Sequence, residues 1–221
     1  MSYFPFFMEI GQKPCLVVGG GVVALRKIEK LHPFGTEITV VSPAFCEELL
    51  EFLEVHGIRR ICRPFLAEDI EGMAFVIGAT DDEAVNAEIA NLCRERNIPV
   101  NIVDDREKCS FFFPALVKRG EFVAGFTSGG GSPLAAQYIR RQVEEMLPQG
   151  FEQTIAQLSA VRKRVKREIS DGKRREAVFR ALFALALEKE GNITEEEINT
   201  ILEKEKRFGQ EKQSEQRKEA T

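Results

Sequence analysis

Short apolar runs alternate with amphipathic stretches through the first half of the chain. The apolar runs read as buried strands, and we predict strands at residues 15–18, 37–41, 58–63, 73–79 and 99–103. The stretches between them have helical periodicity, and we predict helices at residues 22–34, 45–56 and 82–96. Strands that alternate with helices predict an α/β fold with a Rossmann-like, doubly wound parallel sheet.

The pattern changes after residue 105. Two consecutive strands are predicted at residues 111–117 and 122–126, and a helix follows at residues 133–147, which together make a small α+β region. From Phe151 onwards the pattern is helical. Residues 209–221 are polar and charged with no apolar anchor, so we predict a disordered tail there.

Composition and charge narrow the class of protein. The net charge of −4 over 221 residues argues against a protein whose whole surface binds nucleic acid. No stretch approaches the roughly 20 apolar residues of a membrane span, and the N-terminus lacks the pattern of a secretory signal. The five cysteines form no C-x-x-C pair and there are only two histidines. We therefore expect a cytoplasmic protein with buried thiols and no metal site.

A glycine-rich loop follows the first predicted strand and opens the first predicted helix. It reads GGGVVA over residues 19–24, which has the form G-x-G-x-x-A. Gly19 would permit the tight turn, Gly21 the close approach of a pyrophosphate, and Ala24 the packing of helix on strand. The predicted cofactor contacts here are Gly19, Gly20, Gly21, Val22 and Val23. The alternative is a glycine-rich turn that binds nothing.

The second strand ends in Ser42 and Pro43, where dinucleotide-binding folds usually carry an acid for the ribose. Ser42 or a backbone group could bond the ribose hydroxyl instead, and we include both residues in the predicted cofactor site. No Lys or Arg lies between Glu37 and Leu53 to neutralise a 2′-phosphate. The sequence therefore favours NAD over NADP.

Ala79, Thr80 and Asp81 follow the fourth strand. Ligands of such sheets lie beyond the carboxyl ends of the strands, so this loop is predicted to flank the nicotinamide half of the cofactor. Thr80 or Asp81 could instead cap the next helix, and the two roles are compatible.

Asp104 follows the fifth strand and is predicted to lie at the mouth of the cofactor crevice. A carboxylate there could accept a proton while a hydride leaves to NAD⁺. The alternative is a solvated aspartate in a turn.

A second glycine-rich loop, TSGGGSP over residues 127–133, precedes the helix at residues 133–147. Ser132 is a suitable N-cap, and Pro133 suits the first helical position. The glycines expose N–H groups that could bind a carboxylate or phosphate. The predicted substrate contacts are Ser128, Gly129, Gly130 and Ser132. The alternative is a flexible hinge.

Taken in order, these motifs resemble the precorrin-2 dehydrogenase/sirohydrochlorin ferrochelatase family, the N-terminal module of siroheme synthase. The matching stretches are FPFF from Phe4, CLVVGGG from Cys15, VALRK from Val23, ATDD from Ala79, NIVD from Asn101, CSF from Cys109, FPA from Phe113 and the TSGG and SP pairs from Thr127 and Ser132. The resemblance covers roughly residues 3 to 170.

The resemblance implies NAD-dependent oxidation of precorrin-2 to sirohydrochlorin, with Asp104 as the catalytic residue, and it leaves iron insertion into sirohydrochlorin open. It implies a homodimer with an NAD-binding Rossmann domain at residues 1–112, a dimerisation region at 113–148 and a C-terminal helical domain at 149–208. The substrate it implies is a tetrapyrrole with eight carboxylates. Those carboxylates suit the Ser128 loop and a basic stretch whose members are Arg162, Lys163, Arg164, Lys166 and Arg167. The alternative for that stretch is a solvated helix face.

Two other classes of protein share part of this pattern. A non-catalytic NAD-binding regulatory domain would need only the first glycine loop, and it would have no use for Asp104 or the Ser128 loop. A short-chain dehydrogenase requires a Tyr-x-x-x-Lys pair, which is missing because the position four residues after Tyr138 is Gln142 and Tyr3 has no such partner.

Overall fold

The computed structural model describes residues 4–219, with side chains for residues 4–208. The chain divides into two compact units, one ending at Phe113 and the other beginning at Pro114. The boundary lies one residue after the one expected between residues 112 and 113.

The first unit is built on a parallel sheet of five strands in the order β3-β2-β1-β4-β5. The strands are β1 (Pro14–Val18), β2 (Glu37–Ser42), β3 (Arg59–Cys62), β4 (Phe75–Gly78) and β5 (Val100–Ile102). All neighbouring pairs are parallel. The predicted Rossmann-like sheet is confirmed.

Helices cover both faces of this sheet. They are α1 (Val22–Leu31), α2 (Glu47–Val55) and α3 (Glu83–Glu95). Strand β1 is buried on both sides, as expected for a central strand of a parallel sheet. Cys15 and Val17 belong to the core formed with α1 and α2, whereas Leu16 and Val18 belong to the core formed with α3. The alternation follows from the two-residue repeat of a strand.

The topology places a crevice between the first and fourth strands. From β1 the chain proceeds outward through β2 and β3, then returns to add β4 on the other side of β1. At such a switch point the loops after the two central strands diverge and leave room for a ligand at their carboxyl ends. The loop at Gly19 and the loop at Ala79 bound this crevice.

The second unit begins with an antiparallel hairpin of β6 (Ala115–Arg119) and β7 (Phe122–Phe126). Gly120 forms its turn with a φ of 56°. Helix α4 (Pro133–Met146) packs on both strands. Helices α5 (Phe151–Glu168), α6 (Gly172–Glu188) and α7 (Glu195–Glu219) then build a separate core around Val165, Leu182 and Leu202.

Three local features differ from the sequence-based expectation. Strand β6 begins at Ala115 and not at residue 111, because Pro114 cannot donate to a ladder and the Phe111 carbonyl is bonded by the Asn101 side chain. A short 3-10 segment, Ala67–Ile70, lies before β4. Helix α7 continues to Glu219 through most of the segment predicted as a disordered tail, where Glu, Lys and Gln favour helix. Residues 220–221 of that tail lie outside the described residues.

Candidate active site

The first two glycines of the loop after β1 are required by close backbone contacts. Gly19 has a φ of 131°, and a Cβ on it would lie 2.2 Å from the carbonyl oxygen of Ala79. A Cβ on Gly20 would lie 1.8 Å from the carbonyl oxygen of Ala44. The loop after β1 is therefore pressed against the loops that follow β4 and β2. This contact fixes the position of the glycine loop at the carboxyl ends of the strands.

The third glycine faces open space. No atom lies within 4 Å of a Cβ built on Gly21. Gly21 is the N-cap of α1, and no side chain caps this helix end. The backbone N–H groups of the first turn, at Val22 and Val23, have no partner within a helix. Both of these valines are exposed. An open helix N-terminus of this kind suits the pyrophosphate of a dinucleotide.

The tip of β2 offers fewer hydrogen-bond donors to a ribose than the sequence predicts. Ser42 is buried, and its hydroxyl donates to the carbonyl oxygen of Ala44 at 2.6 Å. Its proton is therefore used to hold the loop, and toward a ribose Ser42 could act only as an acceptor. Pro43 is exposed beside it. The N–H of Cys46 donates to the carbonyl of Gly20 at 2.8 Å and ties this loop to the glycine loop.

The loop after β4 is anchored by Thr80. Its hydroxyl accepts from the N–H of Asp82 at 3.0 Å, and its carbonyl accepts from the Asn86 side chain at 2.8 Å. The N-cap of α3 is Asp82, whose carboxylate accepts from two backbone N–H groups. The cap therefore lies one residue after the pair considered from the sequence. Asp81 is exposed.

Asp104 lies two residues beyond β5, at the same edge of the sheet as the other two loops. It is exposed and has a φ of 58°, a left-handed conformation that Asp and Asn tolerate better than most residues. The neighbouring Asp105 has a different role. Its carboxylate pairs with Lys108 at 2.6 Å, and this hydrogen bond holds the pKa of Asp105 below its usual range.

The loop that carries Asp104 is bonded back to β5. The Cys109 thiol accepts from the N–H of Ile102 at 3.2 Å and lies 3.1 Å from the carbonyl oxygens of both Ile102 and Asp105, to which it can donate. Ser110 bonds the N–H of Val100 at 2.7 Å. Burial raises the pKa of the Cys109 thiol, which keeps it protonated as a donor. The CSF stretch therefore shapes the loop under Asp104.

Lys27 is a site residue that the sequence analysis did not single out. Its Nζ donates to Asn101 Oδ1 at 3.2 Å and lies 4.2 Å from the centroid of the Phe113 ring. Burial lowers the pKa of Lys27, while the charge of Asp104 acts in the opposite direction. Lys27 is three residues after Ala24, on the buried side of α1. A charged residue at a helical position expected to be buried is the sequence signal that could have identified Lys27.

In the second unit the TSGGGSP loop is bonded mainly to itself. Ser128 Oγ accepts from the N–H of Ser132 at 2.8 Å, and Thr127 Oγ accepts from that of Gly129 at 3.2 Å. The N–H of Gly131 donates to the Ser128 carbonyl at 3.1 Å. Ser132 is the N-cap of α4, as predicted. In these bonds the hydroxyls only accept, so their protons can be donated to a carboxylate. The backbone N–H groups of the loop are less available to an anion than predicted, because three of them already donate within the loop.

The basic residues on α5 differ in their surroundings. Arg164 is half-buried and pairs with Glu168 and Glu195, both at 2.9 Å. The other four residues of the basic stretch are exposed: Arg162, Lys163, Lys166 and Arg167.

Within the part of the chain that the structure describes, no group of three or more His, Cys, Asp or Glu side chains could hold a metal ion. No helix there is long and apolar enough to cross a membrane.

Comparison with known proteins defines the class of the first unit. Residues 6–115 match the family model described as putative NAD(P)-binding. Together with the parallel sheet and the open helix N-terminus, this match makes the first unit an NAD(P)-binding domain of Rossmann type. It supports NAD as the cofactor, as predicted.

Several curated proteins that match most of the chain are named siroheme synthase. That of Thioalkalivibrio sulfidiphilus is 38% identical over 195 residues, 88% of this chain and 39% of the relative. That of Methylococcus capsulatus is 39% identical over 176 residues, 79% of this chain and 37% of the relative. Siroheme synthase 1 of Yersinia enterocolitica is 36% identical over 209 residues, 92% of this chain and 44% of the relative. The chain is similar to these siroheme synthases over most of its own length, and it spans about two-fifths of theirs.

A solved structure named SirC, precorrin-2 dehydrogenase, has the same fold. It superposes with a TM-score of 0.73 over 93% of this chain and 100% of that chain, at 22% sequence identity. The predicted architecture, a Rossmann-like sheet followed by a small α+β region and C-terminal helices, is confirmed.

Proposed function

We propose that this chain is a dehydrogenase that uses NAD⁺ to oxidise precorrin-2 to sirohydrochlorin in siroheme biosynthesis. One observation carries the proposal. An uncapped glycine helix start and an exposed aspartate, Asp104, lie at the same edge of one parallel sheet. The sequence relatives are named siroheme synthase and the structural neighbour is named precorrin-2 dehydrogenase, which supports this choice of substrate.

The oxidation removes two hydrogens from the substrate, one as a hydride and one as a proton. NAD⁺ bound at the glycine loop would supply the hydride acceptor. The backbone at Gly21, Val22 and Val23 would hold its pyrophosphate, and the loop at Ala79–Asp81 would lie beside its nicotinamide half. Asp104 would accept the proton at its carboxylate. The network of Lys27, Asn101 and Cys109 supports the loop that presents this carboxylate.

The substrate's carboxylates need donors and cations. The hydroxyls of Ser128 and Ser132, with Gly129 and Gly130 shaping their loop, are proposed to donate to them. The exposed basic residues of α5 are further candidates. Arg162, Lys163 and Lys166 are the stronger ones, because Arg167 lies 3.8 Å from the carboxylate of Glu168.

We also propose that the protein is a cytoplasmic homodimer without nucleic-acid or membrane partners. Helix α4 exposes Leu134, Tyr138, Ile139 and Met146, with exposed fractions of 75%, 57%, 46% and 73%. Apolar residues at this spacing on one helix are typical of an interface, and they lie in the region expected to dimerise. All five cysteines are free thiols, as a reducing compartment would keep them. Cys15 and Cys93 are buried as expected, whereas Cys62 is exposed.

Iron insertion into sirohydrochlorin is an extension of the proposal. The substrate's pyrrole nitrogens would supply the metal ligands, and a carboxylate such as Asp104 could accept the protons that metal entry displaces. The name siroheme synthase carried by the relatives is consistent with this second step.

The test is anaerobic incubation of the full chain with enzymatically generated precorrin-2. Spectra are recorded with NAD⁺, with NADP⁺ and with neither, and ferrous ion is then added. We expect sirohydrochlorin with NAD⁺, and a further spectral change above the no-enzyme control if the chain also inserts iron. No oxidation by folded protein that binds NADH would favour the regulatory alternative.

Asp104→Asn tests the base. Asparagine accepts the left-handed backbone conformation at this position, so the variant should fold normally. The loss of a proton acceptor should lower kcat by about 10²- to 10⁴-fold. The affinity for NADH, measured by fluorescence titration, should stay unchanged. A variant with full activity would remove Asp104 from the mechanism.

A further inference from the structure

Strand β3 brings an arginine next to the tip of β2. In the β2–β3 register Cys62 lies opposite Ser42, and Arg63 is the next residue. Neighbouring strands are about 4.8 Å apart, so Arg63 emerges beside the position where dinucleotide-binding folds recognise the 2′ position of the adenosine ribose. Arg60 lies opposite Val40, farther from the tip.

This arginine is held in a two-pronged ion pair. Arg63 Nη1 donates to Asp69 Oδ2 at 2.8 Å, and Nη2 donates to Oδ1 at 2.6 Å. Nη1 also donates to the carbonyl of Pro64 at 2.9 Å. Asp69 further accepts from the N–H of Leu66 at 2.8 Å, a bond that ties Asp69 to the residue that precedes the short 3-10 segment. The Asp69 side chain is 7% exposed and that of Arg63 is 34% exposed.

The ion pair matters because the tip of β2 does not itself select a cofactor. It carries no acid that would bind the ribose diol and repel a 2′-phosphate, and the Ser42 proton is already donated to Ala44. An unpaired guanidinium beside this tip would bind a 2′-phosphate with two parallel hydrogen bonds. Arg63 has this position, and Asp69 occupies its donors.

We propose that Asp69 is a specificity-determining residue, which favours NAD over NADP by holding Arg63 away from a 2′-phosphate. The proposal rests on the cofactor site proposed above. The Arg63 hydrogen bond keeps the pKa of Asp69 below its usual range, so the carboxylate stays ionised at neutral pH and the pair stays intact.

The test compares NADH and NADPH binding by fluorescence titration. The key variant is Asp69→Asn, which removes the charge but keeps an acceptor for the Leu66 N–H. It should lower the Kd for NADPH by about tenfold or more and change the Kd for NADH by less than about twofold. The double variant Arg63→Gln/Asp69→Asn should lose this gain, because the freed arginine is its cause. Thermal melts establish that each variant is folded, and Asp69→Ser carries the same expectation if Asp69→Asn does not fold.

The outcomes separate the two proposals. If the original chain binds NADH and folded Asp69→Asn binds NADPH no better, the role of Asp69 is overturned and the cofactor site stands. If the gain persists in the double variant, Arg63 is not the phosphate ligand and the proposal is equally overturned. If the original chain binds neither dinucleotide, the cofactor site itself is wrong and the inference fails with it.

Discussion

The two glycine-rich loops of this chain both precede a helix. The first leaves the N–H groups at the helix start without a side-chain cap, whereas the second bonds its N–H groups within the loop. In the loop after β1, Gly21 leaves the start of α1 without a side-chain cap and with open space in front of it. In the loop after β7, Ser132 caps α4, and the hydroxyls of Ser128 and Thr127 accept two further N–H groups.

This difference shows that glycine content alone does not identify an anion site. The first loop keeps its donors for a ligand, which suits a pyrophosphate. The second loop consumes its donors and presents hydroxyl protons, which suits individual carboxylates. Four variants test whether the two loops are as distinct as the structure indicates.

The largest effect is expected for Gly19→Ala. The alanine Cβ would meet the Ala79 carbonyl at 2.2 Å, and the backbone φ of 131° is strained for any residue other than glycine. We expect the free energy of unfolding to fall by on the order of 3 kcal/mol, measured by urea denaturation. A stable Gly19→Ala variant would contradict the close contact between the two loops.

Gly21→Ala should separate binding from folding. Its Cβ meets no protein atom, and its φ of −96° suits alanine. The free energy of unfolding should change by less than about 1 kcal/mol, because a weaker N-cap and a less flexible unfolded chain oppose each other. The methyl group fills the space needed by the pyrophosphate, so the Kd for NADH should rise by about tenfold or more. Unchanged NADH binding would show that Gly21 does not face the cofactor.

Ser132→Ala removes the cap of α4. The lost bond to the N–H of Ala135 should cost about 1 kcal/mol of unfolding free energy. Ser132→Ala should also raise the KM for precorrin-2, because it removes a donor to a substrate carboxylate. Ser132→Asp is the matched control, because aspartate caps a helix as well as serine but has no hydrogen-bond donor for a carboxylate. The control should restore stability but leave the KM raised. Recovery of both properties would make Ser132 a cap only.

The smallest effect is expected for Ser128→Ala. Loss of one hydroxyl donor to a substrate carboxylate should raise the KM for precorrin-2 about threefold, in the range of a single hydrogen bond. NADH binding should stay unchanged, and Ser128→Thr should retain the original KM because it keeps the hydroxyl. A change in NADH affinity would assign this loop to the cofactor and erase the distinction between the two loops.

The sheet could be predicted from the sequence because its strands are short apolar runs with a two-residue or fully buried pattern. The glycine loop and Asp104 could be placed because both follow such strands, and parallel strands bring their carboxyl ends to one edge. These signals are local in the chain, so no knowledge of tertiary contacts was needed.

The rest depended on contacts between distant segments. Lys27 and Asn101 are 74 positions apart, and no local pattern pairs them. Arg63 gains its position from the register with Ser42, and its charge is cancelled by Asp69 six residues later. The stretch between Glu37 and Leu53 contains the strand of Ser42 but not the neighbouring strand, so Arg63 lies outside it. The start of β6 was predicted too early because Asn101 withdraws the Phe111 carbonyl from the ladder.

The central claim is that oxidation of precorrin-2 is coupled to hydride transfer to NAD⁺ bound at the first glycine loop. The most direct measurement is the ratio of NADH formed to sirohydrochlorin formed, recorded anaerobically with the full chain and with Gly21→Ala as the comparison. The account predicts one NADH for each sirohydrochlorin, and a marked loss of both products in Gly21→Ala when NAD⁺ is limiting. The account would be contradicted if sirohydrochlorin formed at the same rate with no formation of NADH, or if Gly21→Ala formed it equally well.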